Sequence, residues 1–401
     1  MIIYCDRIYM EDGLKDGYLI VENGKFVEFR PKETNLKVDK DFSGYRIIPG
    51  IIDTHNHGCF GYDLLRGKNS SFNLTGYLKA LASSGVTGVF PTCATDVETI
   101  EKIVNYVDPE KKTPNILGIH LEGPWGARVG EKGVNTGYPE VDMTLAKKFL
   151  KAANGKLKLI DIAPEVEGAL EAIRFFTQNG VKVGAYHTNA NYAQASAGID
   201  AGITVATHLG NVMTGLHHRD IGTLGACLMR DEVDCEIICD GLHICFEMLE
   251  LYFKVKDYSR FIMISDNVSF AGLPQGKYKG MTDDPESDRQ FIYIDEKGFI
   301  LSETGRISGS SKPIIFGIKN LVEKLNIPLE IVITMSSLNP AKKYGLDKEK
   351  GSIKIGKDGD FVVIDDNYDV IETYCQGNKI FDIQDNKILY NKDFIKSRKL
   401  S

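Results

Sequence analysis

The feature that most constrains this chain is a rhythm. Short apolar, β-rich runs alternate with longer stretches of helical period through most of its length. The runs are "YRIIPGIIDTH", "GVTGVFPTCAT", "NILGIHLEG", "KLKLIDIAPE", "VKVGAYHTN", "ITVATHLGN", "VDCEIICDGLH" and "RFIMISDNV". Between them, "LTGYLKALASSG", "ALEAIRFFTQNG" and "NYAQASAGIDAG" carry the helical period and close on glycine, a helix stop signal. Near-continuous apolar strands joined by helical crossovers fit a parallel sheet covered on its outer face. Eight such units predict an α/β fold, a (β/α)8 TIM-type barrel over residues 47–345.

The two ends follow another grammar. "YLIVENGKFVEF" reads as strand, Asn-Gly turn, strand, and residues 351–380 repeat the pattern. Segments 1–46 and 346–401 are therefore expected to meet as one small β-sandwich domain. "MTDDPESDRQ", 281–290, is polar enough to be a surface loop.

Composition excludes several classes of partner. The chain has 401 residues, 43% hydrophobic and 26% charged, with net charge −7, so no global basic field favours nucleic acid or an anionic membrane. No apolar run reaches the roughly 18 residues of a membrane span, and "MIIYCDRIYMEDG" lacks a signal peptide's basic region and cleavage site. Eight cysteines without a CxxC pair read as reduced thiols, and the expected location is cytoplasmic.

A barrel of this type carries its reactive groups at the C-terminal ends of its strands. The first run ends in His55 and His57, the third in Glu122, the fifth in His187, the sixth in His208, the seventh in His243 and the eighth in Asp266. In a strand, residues i and i+2 share a face, so His55 and His57 are able to aim at one point. Each residue alone has an ordinary reading: a turn-solvating glutamate, a hydrogen-bonded histidine, an N-cap aspartate. Their convergence on one rim argues instead for a divalent ion. Nitrogen and carboxylate donors in that number suit Zn²⁺ or Fe²⁺ with coordination positions left open. His120 is assigned to the layer behind the ligands, and His217-His218 to a solvated loop.

The same stretches resemble the amidohydrolase superfamily and, within it, the N-acetylglucosamine-6-phosphate deacetylase family. The matching motifs are "PGIIDTHNHG", "LGIHLEGPW", "IAPE", "HTNANYAQASAGIDAGITVATHLGNVM", "HRDIGTLGA", "IICDGLH", "ISDNVSFAGLPQG", "ISGS" and "GSIKIGKDGDFVVID", in family order from about residue 49 to 365. The resemblance implies that Glu122, His187 and His208 hold a first metal and that His55 and His57 are candidates for a second. It implies that Asp266 is the general base and acid and that His243 contacts substrate and orients or polarises the acetyl group. It implies a phosphate clamp at Arg219 and substrate contacts at Val134, Asn135, Asn211, Val212, Ile307, Ser308 and Gly309. The expected substrate is N-acetylglucosamine-6-phosphate, hydrolysed to glucosamine-6-phosphate and acetate with one or two ions per subunit, and the expected assembly is a homodimer.

Three departures bear on substrate rather than reaction. Asn135 stands where the family's flap carries histidine, Tyr186 replaces a glycine before His187, and Gly210 precedes Asn211. N-acetylgalactosamine-6-phosphate or another N-acyl compound is the alternative, and a non-catalytic scaffold is the reading from a different class. "APE" after the fourth run offers no lysine for a carbamate bridge.

Overall fold

Each apolar run becomes a strand. The computed structural model of the chain describes residues 1–65, 72–128, 138–282, 287–385 and 389–400. The strands are β1 (Ile51–Asn56), β2 (Val86–Pro91), β3 (Ile119–Trp125), β4 (Leu157–Ile162), β5 (Lys182–Ala185), β6 (Ile203–Ala206), β7 (Asp234–Ile237) and β8 (Phe261–Met263). One helix follows each: α1 (Leu74–Ala82), α2 (Val97–Val104), α3 (Met143–Ala153), α4 (Ala169–Gln178), α5 (Tyr192–Ala201), α6 (Gly222–Met229), α7 (Phe246–Val255) and α8 (Ile314–Leu325).

Local chemistry sets these boundaries. Asn73, Asp96 and Asp142 cap α1, α2 and α3 by accepting backbone N–H groups. Asn191 and Gln194 form a reciprocal capping box at the start of α5, whose last turn stops at Gly202.

β1 pairs with β2 in parallel, and β3 through β8 form an ordered parallel ladder. Two seams join these groups. Thr92, just past β2, bridges His120 of β3, and Asn56 of β1 bridges Asn267 beyond β8. At the second seam Asp266 N donates to His55 O (2.8 Å) and His57 N to Asn267 O (2.8 Å). The backbone thus sets Asp266 beside the two histidines. Every residue of β1, β2 and β7 is buried, which is why these runs read as apolar without alternation.

Both ends of the chain contribute to one further sheet, built from Ile2–Met10, Gly13–Glu22, Lys25–Pro31, Arg46–Pro49, Phe361–Ile364, Val370–Cys375 and Asn378–Asp382. The expected Asn-Gly turn is present, with Asn23 and Gly24 at φ +50° and +79°, and Gln376-Gly377 repeats it at +48° and +71°. Positive φ at both central residues matches the right-handed twist of a two-residue hairpin. Arg46–Pro49 pairs antiparallel with Phe361–Ile364 and runs directly into β1, so the terminal sheet anchors the first strand of the site.

One element has no counterpart in the sequence reading. Between β8 and α8 the chain forms three short antiparallel strands, Gly276–Lys279, Phe291–Ile294 and Ile300–Ser302. The polar stretch 281–290 links the first two, and residues 283–286 lie outside the described ones.

Candidate metal centre

Six side chains converge beyond the C-terminal ends of the parallel strands. His55 and His57 project from the end of β1 with their Nε2 atoms 3.1 Å apart. Asp266 Oδ1 completes the group at 3.3 Å from His55 Nε2 and 3.4 Å from His57 Nε2. Glu122 of β3 lies between this group and a second one. Its Oε1 is 2.9 Å from His208 Nε2 and 3.4 Å from His187 Nε2, and its Oε2 is 3.2 Å from His57 Nε2. The ligand atoms of His55, His57 and Asp266 lie within 4.8 Å of one another, as do those of Glu122, His187 and His208.

The backbone bends sharply to deliver three of these groups. His187, His208 and Asp266 stand just past β5, β6 and β8 with φ of +39°, +35° and +48°. Left-handed backbone is unfavourable for residues with a Cβ, and its use at three site positions marks a geometry held by the surroundings. Glu165, from "APE", steadies one bend by accepting hydrogen bonds from Thr188 Oγ1 (2.6 Å) and Asn189 N (2.5 Å).

Three of the four histidines have a partner on the outer nitrogen, and His208 Nδ1 is buried without one among the described residues. His55 Nδ1 faces Glu236 Oε2 at 3.3 Å, His57 Nδ1 faces the Thr92 carbonyl at 3.2 Å, and Tyr138 Oη lies 2.5 Å from His187 Nδ1. Where the first two acceptors take the Nδ1 protons, both Nε2 atoms face the site, 3.1 Å from each other. That arrangement is repulsive unless a positive charge lies between them, and it fits a metal ion.

The electrostatics agree. Burial opposes charge throughout, yet hydrogen bonds from His187, His208 and His57 hold the Glu122 carboxyl well below the usual carboxylate range. Burial would lower His57, but Asp266 and Glu122 raise it to about 9. Burial would raise Asp266, but His55 and His57 bring it to about 2. The carboxylates thus create a demand for positive charge, which protons or a divalent cation meets.

The remaining expected site residues divide. His243 is held by Asp240, whose Oδ2 lies 2.7 Å from its Nδ1, rather than by any of the six. Asn211 lies beside the ligand turn, its N donating to His208 O at 2.9 Å, and the Val212 carbonyl accepts from Thr188 N at 3.0 Å. Arg219 is exposed and lines a separate cavity of about 400 Å³ with Asn191, Tyr192, His218 and Asp220. Ile307 bridges Leu301 and Ser308 N donates to Ile300 O at 2.9 Å, along the inserted sheet, whereas Gly309 lies against the Val268 side chain, two residues past Asp266. Val134 and Asn135 lie outside the described residues.

Two of the departures are packed into the structure. Tyr186 Oη occupies the space where a Cβ on Gly123 would fall, 2.2 Å away, and Gly123 has φ +94°. Tyr252 Oη does the same at Gly210, at 2.4 Å with φ +88°. Both positions demand glycine because a tyrosine fills the room beside them.

Sequence reasoning missed Asp161, Glu236 and Tyr138. His120 Nε2 lies 2.7 Å from Asp161 Oδ2, and both side chains are fully buried. The available signal for Asp161 and Glu236 was a charged residue inside an apolar strand, "KLIDI" and "DCEII".

The amidohydrolase family pattern matches residues 46–387. An N-acetylglucosamine-6-phosphate deacetylase of Bacillus subtilis is 31% identical over 381 residues, covering 92% of this chain and 93% of that protein. An N-acetylgalactosamine-6-phosphate deacetylase of Escherichia coli O157:H7 is 29% identical, covering 94% and 98%. The solved structure of a Mycobacterium smegmatis N-acetyl-D-glucosamine-6-phosphate deacetylase mutant in complex with N-acetyl-D-glucosamine-6-phosphate superposes with a TM-score of 0.83 at 25% identity, covering 95% and 99%. No helix among the described residues is long and apolar enough to cross a membrane. The chain belongs to the metal-dependent amidohydrolase family, on the branch whose curated relatives are N-acetylhexosamine-6-phosphate deacetylases.

Proposed function

We propose that this chain removes the acetyl group from N-acetylglucosamine-6-phosphate, giving glucosamine-6-phosphate and acetate. The observation that carries the reading is the position of Glu122, one carboxylate oxygen toward His187 and His208 and the other toward His57. In this reading the eight strands close as a (β/α)8 barrel over 47–345, and 1–46 with 346–401 form the small β domain. Glu122, His187 and His208 hold one divalent ion, Zn²⁺ or Fe²⁺, and His55 and His57 with Asp266 are placed for a second. The family resemblance supports a homodimer and a cytoplasmic location.

A divalent ion at this site lowers the pKa of water toward roughly 7 and polarises an acyl oxygen. The chain's own groups do the rest. Asp266 takes the proton of the attacking water as its oxygen adds to the amide carbon, then delivers it to the departing amine. His243 donates Nδ1–H to Asp240, leaving Nε2 to orient the acetyl group. Arg219 offers its guanidinium to the 6-phosphate, to which it can make a forked contact in an otherwise acidic protein.

The galacto epimer is the second reading, left open by the departures from the family pattern at Asn135, Tyr186 and Gly210. An acetate-release assay over free and 6-phosphorylated N-acetyl hexosamines, with Zn²⁺, Fe²⁺ or Mn²⁺ added, separates the readings. The gluco 6-phosphate is expected to give the highest kcat/KM, and Arg219→Ala to raise KM only for phosphorylated sugars. Equal turnover of phosphate-free substrates would overturn the assignment.

A further inference from the structure

Beneath the six converging side chains the strands bury a second polar layer, made by Thr54 of β1, His120 of β3, Asp161 of β4 and Glu236 of β7. His120 and Asp161 form one pair at 2.7 Å, and Thr207 Oγ1 donates to the other Asp161 oxygen at 2.7 Å. Glu236 is in a different position. It has no exposure, its Oε1 accepts from Thr54 Oγ1 at 3.0 Å, and its Oε2 faces His55 Nδ1 at 3.3 Å. Among the described residues no lysine or arginine lies within ion-pair range of it. A carboxylate so placed costs several kcal/mol unless an opposite charge answers it. An apolar side chain would fill the same space on β7 without that cost. Among the described residues, His55 is the one ionisable group in hydrogen-bond contact with Glu236, and its other ring nitrogen points at His57 and Asp266.

We propose that Glu236 is a positioning residue for a divalent cation at the His55–His57–Asp266 group. It accepts the Nδ1–H of His55 and so fixes the lone pair on Nε2, and its negative charge makes that nitrogen a stronger donor. The carboxylate, the imidazole and the cation form a three-membered relay that runs from the interior of the strands to the site. The inference rests on the metal-dependent reading above and not on the identity of the substrate.

The test is a Co²⁺ titration of chelator-stripped full-length protein, followed by visible absorption and by metal content after dialysis. The difference between the wild type and His55→Ala identifies the ion bound through His55. Glu236→Gln keeps the shape and removes the charge, and is expected to weaken that ion's binding about 10- to 100-fold. Co²⁺ bound through Glu122, His187 and His208 is expected to keep its affinity. Glu236→Leu, which also frees the tautomer, is expected to lose at least as much. If Glu236→Leu fails to fold, Glu236→Gln decides alone. Wild-type affinity in Glu236→Gln overturns the role of the charge, and wild-type affinity in both variants overturns the relay. Unchanged Co²⁺ uptake in His55→Ala overturns the proposal at its root. A protein that binds Co²⁺ as expected yet deacetylates no hexosamine phosphate would refute the substrate reading and leave this inference standing.

Discussion

His55 Nε2 and His57 Nε2 stand 3.1 Å apart, each with its other ring nitrogen engaged by an acceptor on the opposite side. Two neutral imidazoles with both Nδ1 protons so engaged would repel across that gap, so the site needs positive charge there: a proton when it is empty, or a divalent cation that both nitrogens would hold.

Metal removal is therefore expected to lower the thermal stability of the whole chain. A ligand present at about 100 times its Kd adds about 2.7 kcal/mol to the native state. Scanning calorimetry with excess Zn²⁺ or with a chelator is expected to show Tm several degrees higher in the metal-loaded protein. His57→Ala is expected to shrink that difference and also to lower the chelated Tm, because it removes the buried positive group between Glu122 and Asp266. A Tm indifferent to metal and chelator would refute a cation-filled site.

Asp266→Asn isolates the proton-transfer role. Asp266 sits against both histidines, and its backbone N–H is fixed to the His55 carbonyl at 2.8 Å, so the amide is expected to occupy the same space. Asparagine retains an oxygen toward the ion but cannot accept the proton of water. Turnover is expected to fall by roughly 10² or more, with the ion at Glu122, His187 and His208 retained. Near-normal kcat would remove Asp266 from the general-base role.

How far the sequence was legible depends on what kind of signal each residue carries. His55 and His57 were readable as a pair because i and i+2 share a face in a strand, and β1 is a strand over Ile51–Asn56. Glu122, His187, His208 and Asp266 were readable because each stands at the end of an apolar run. Asp161 and Glu236 were not. In a strand buried on both faces nothing in the alternation says which side chain turns inward, so a lone acid there has no assigned neighbour. The strands Gly276–Lys279, Phe291–Ile294 and Ile300–Ser302 escaped for another reason. Runs of three or four residues, set among polar and glycine positions, carry too little periodicity to stand out from a loop. Gly210, read only as a departure, is explained by Tyr252, a contact between residues far apart in the chain.

Stability at low pH tests the terminal sheet independently of the metal centre. Glu11, just past the first strand, accepts from Ser352 Oγ (2.5 Å) and lies 2.6 Å from Lys354 Nζ and 3.2 Å from Lys357 Nζ, tying the two ends of the chain together. Burial raises its carboxyl, but Lys354, Ser352 and Lys357 outweigh that and hold it at about 2, below the usual 4.5. A carboxyl depressed by folding contributes stability that is complete above its unfolded value and is lost as pH falls through its folded value. That difference corresponds to about 3 kcal/mol at full strength. With the Glu11 side chain 28% exposed, solvent screening reduces it to about 1–2 kcal/mol. Glu11→Gln is thus expected to lower unfolding free energy by about 1–2 kcal/mol at pH 7, by urea titration of metal-free protein. The penalty is expected to shrink between pH 4.5 and pH 2 and to vanish below that, where the wild-type carboxyl is itself protonated. A penalty independent of pH would mean that Glu11 acts through packing, not through its charge.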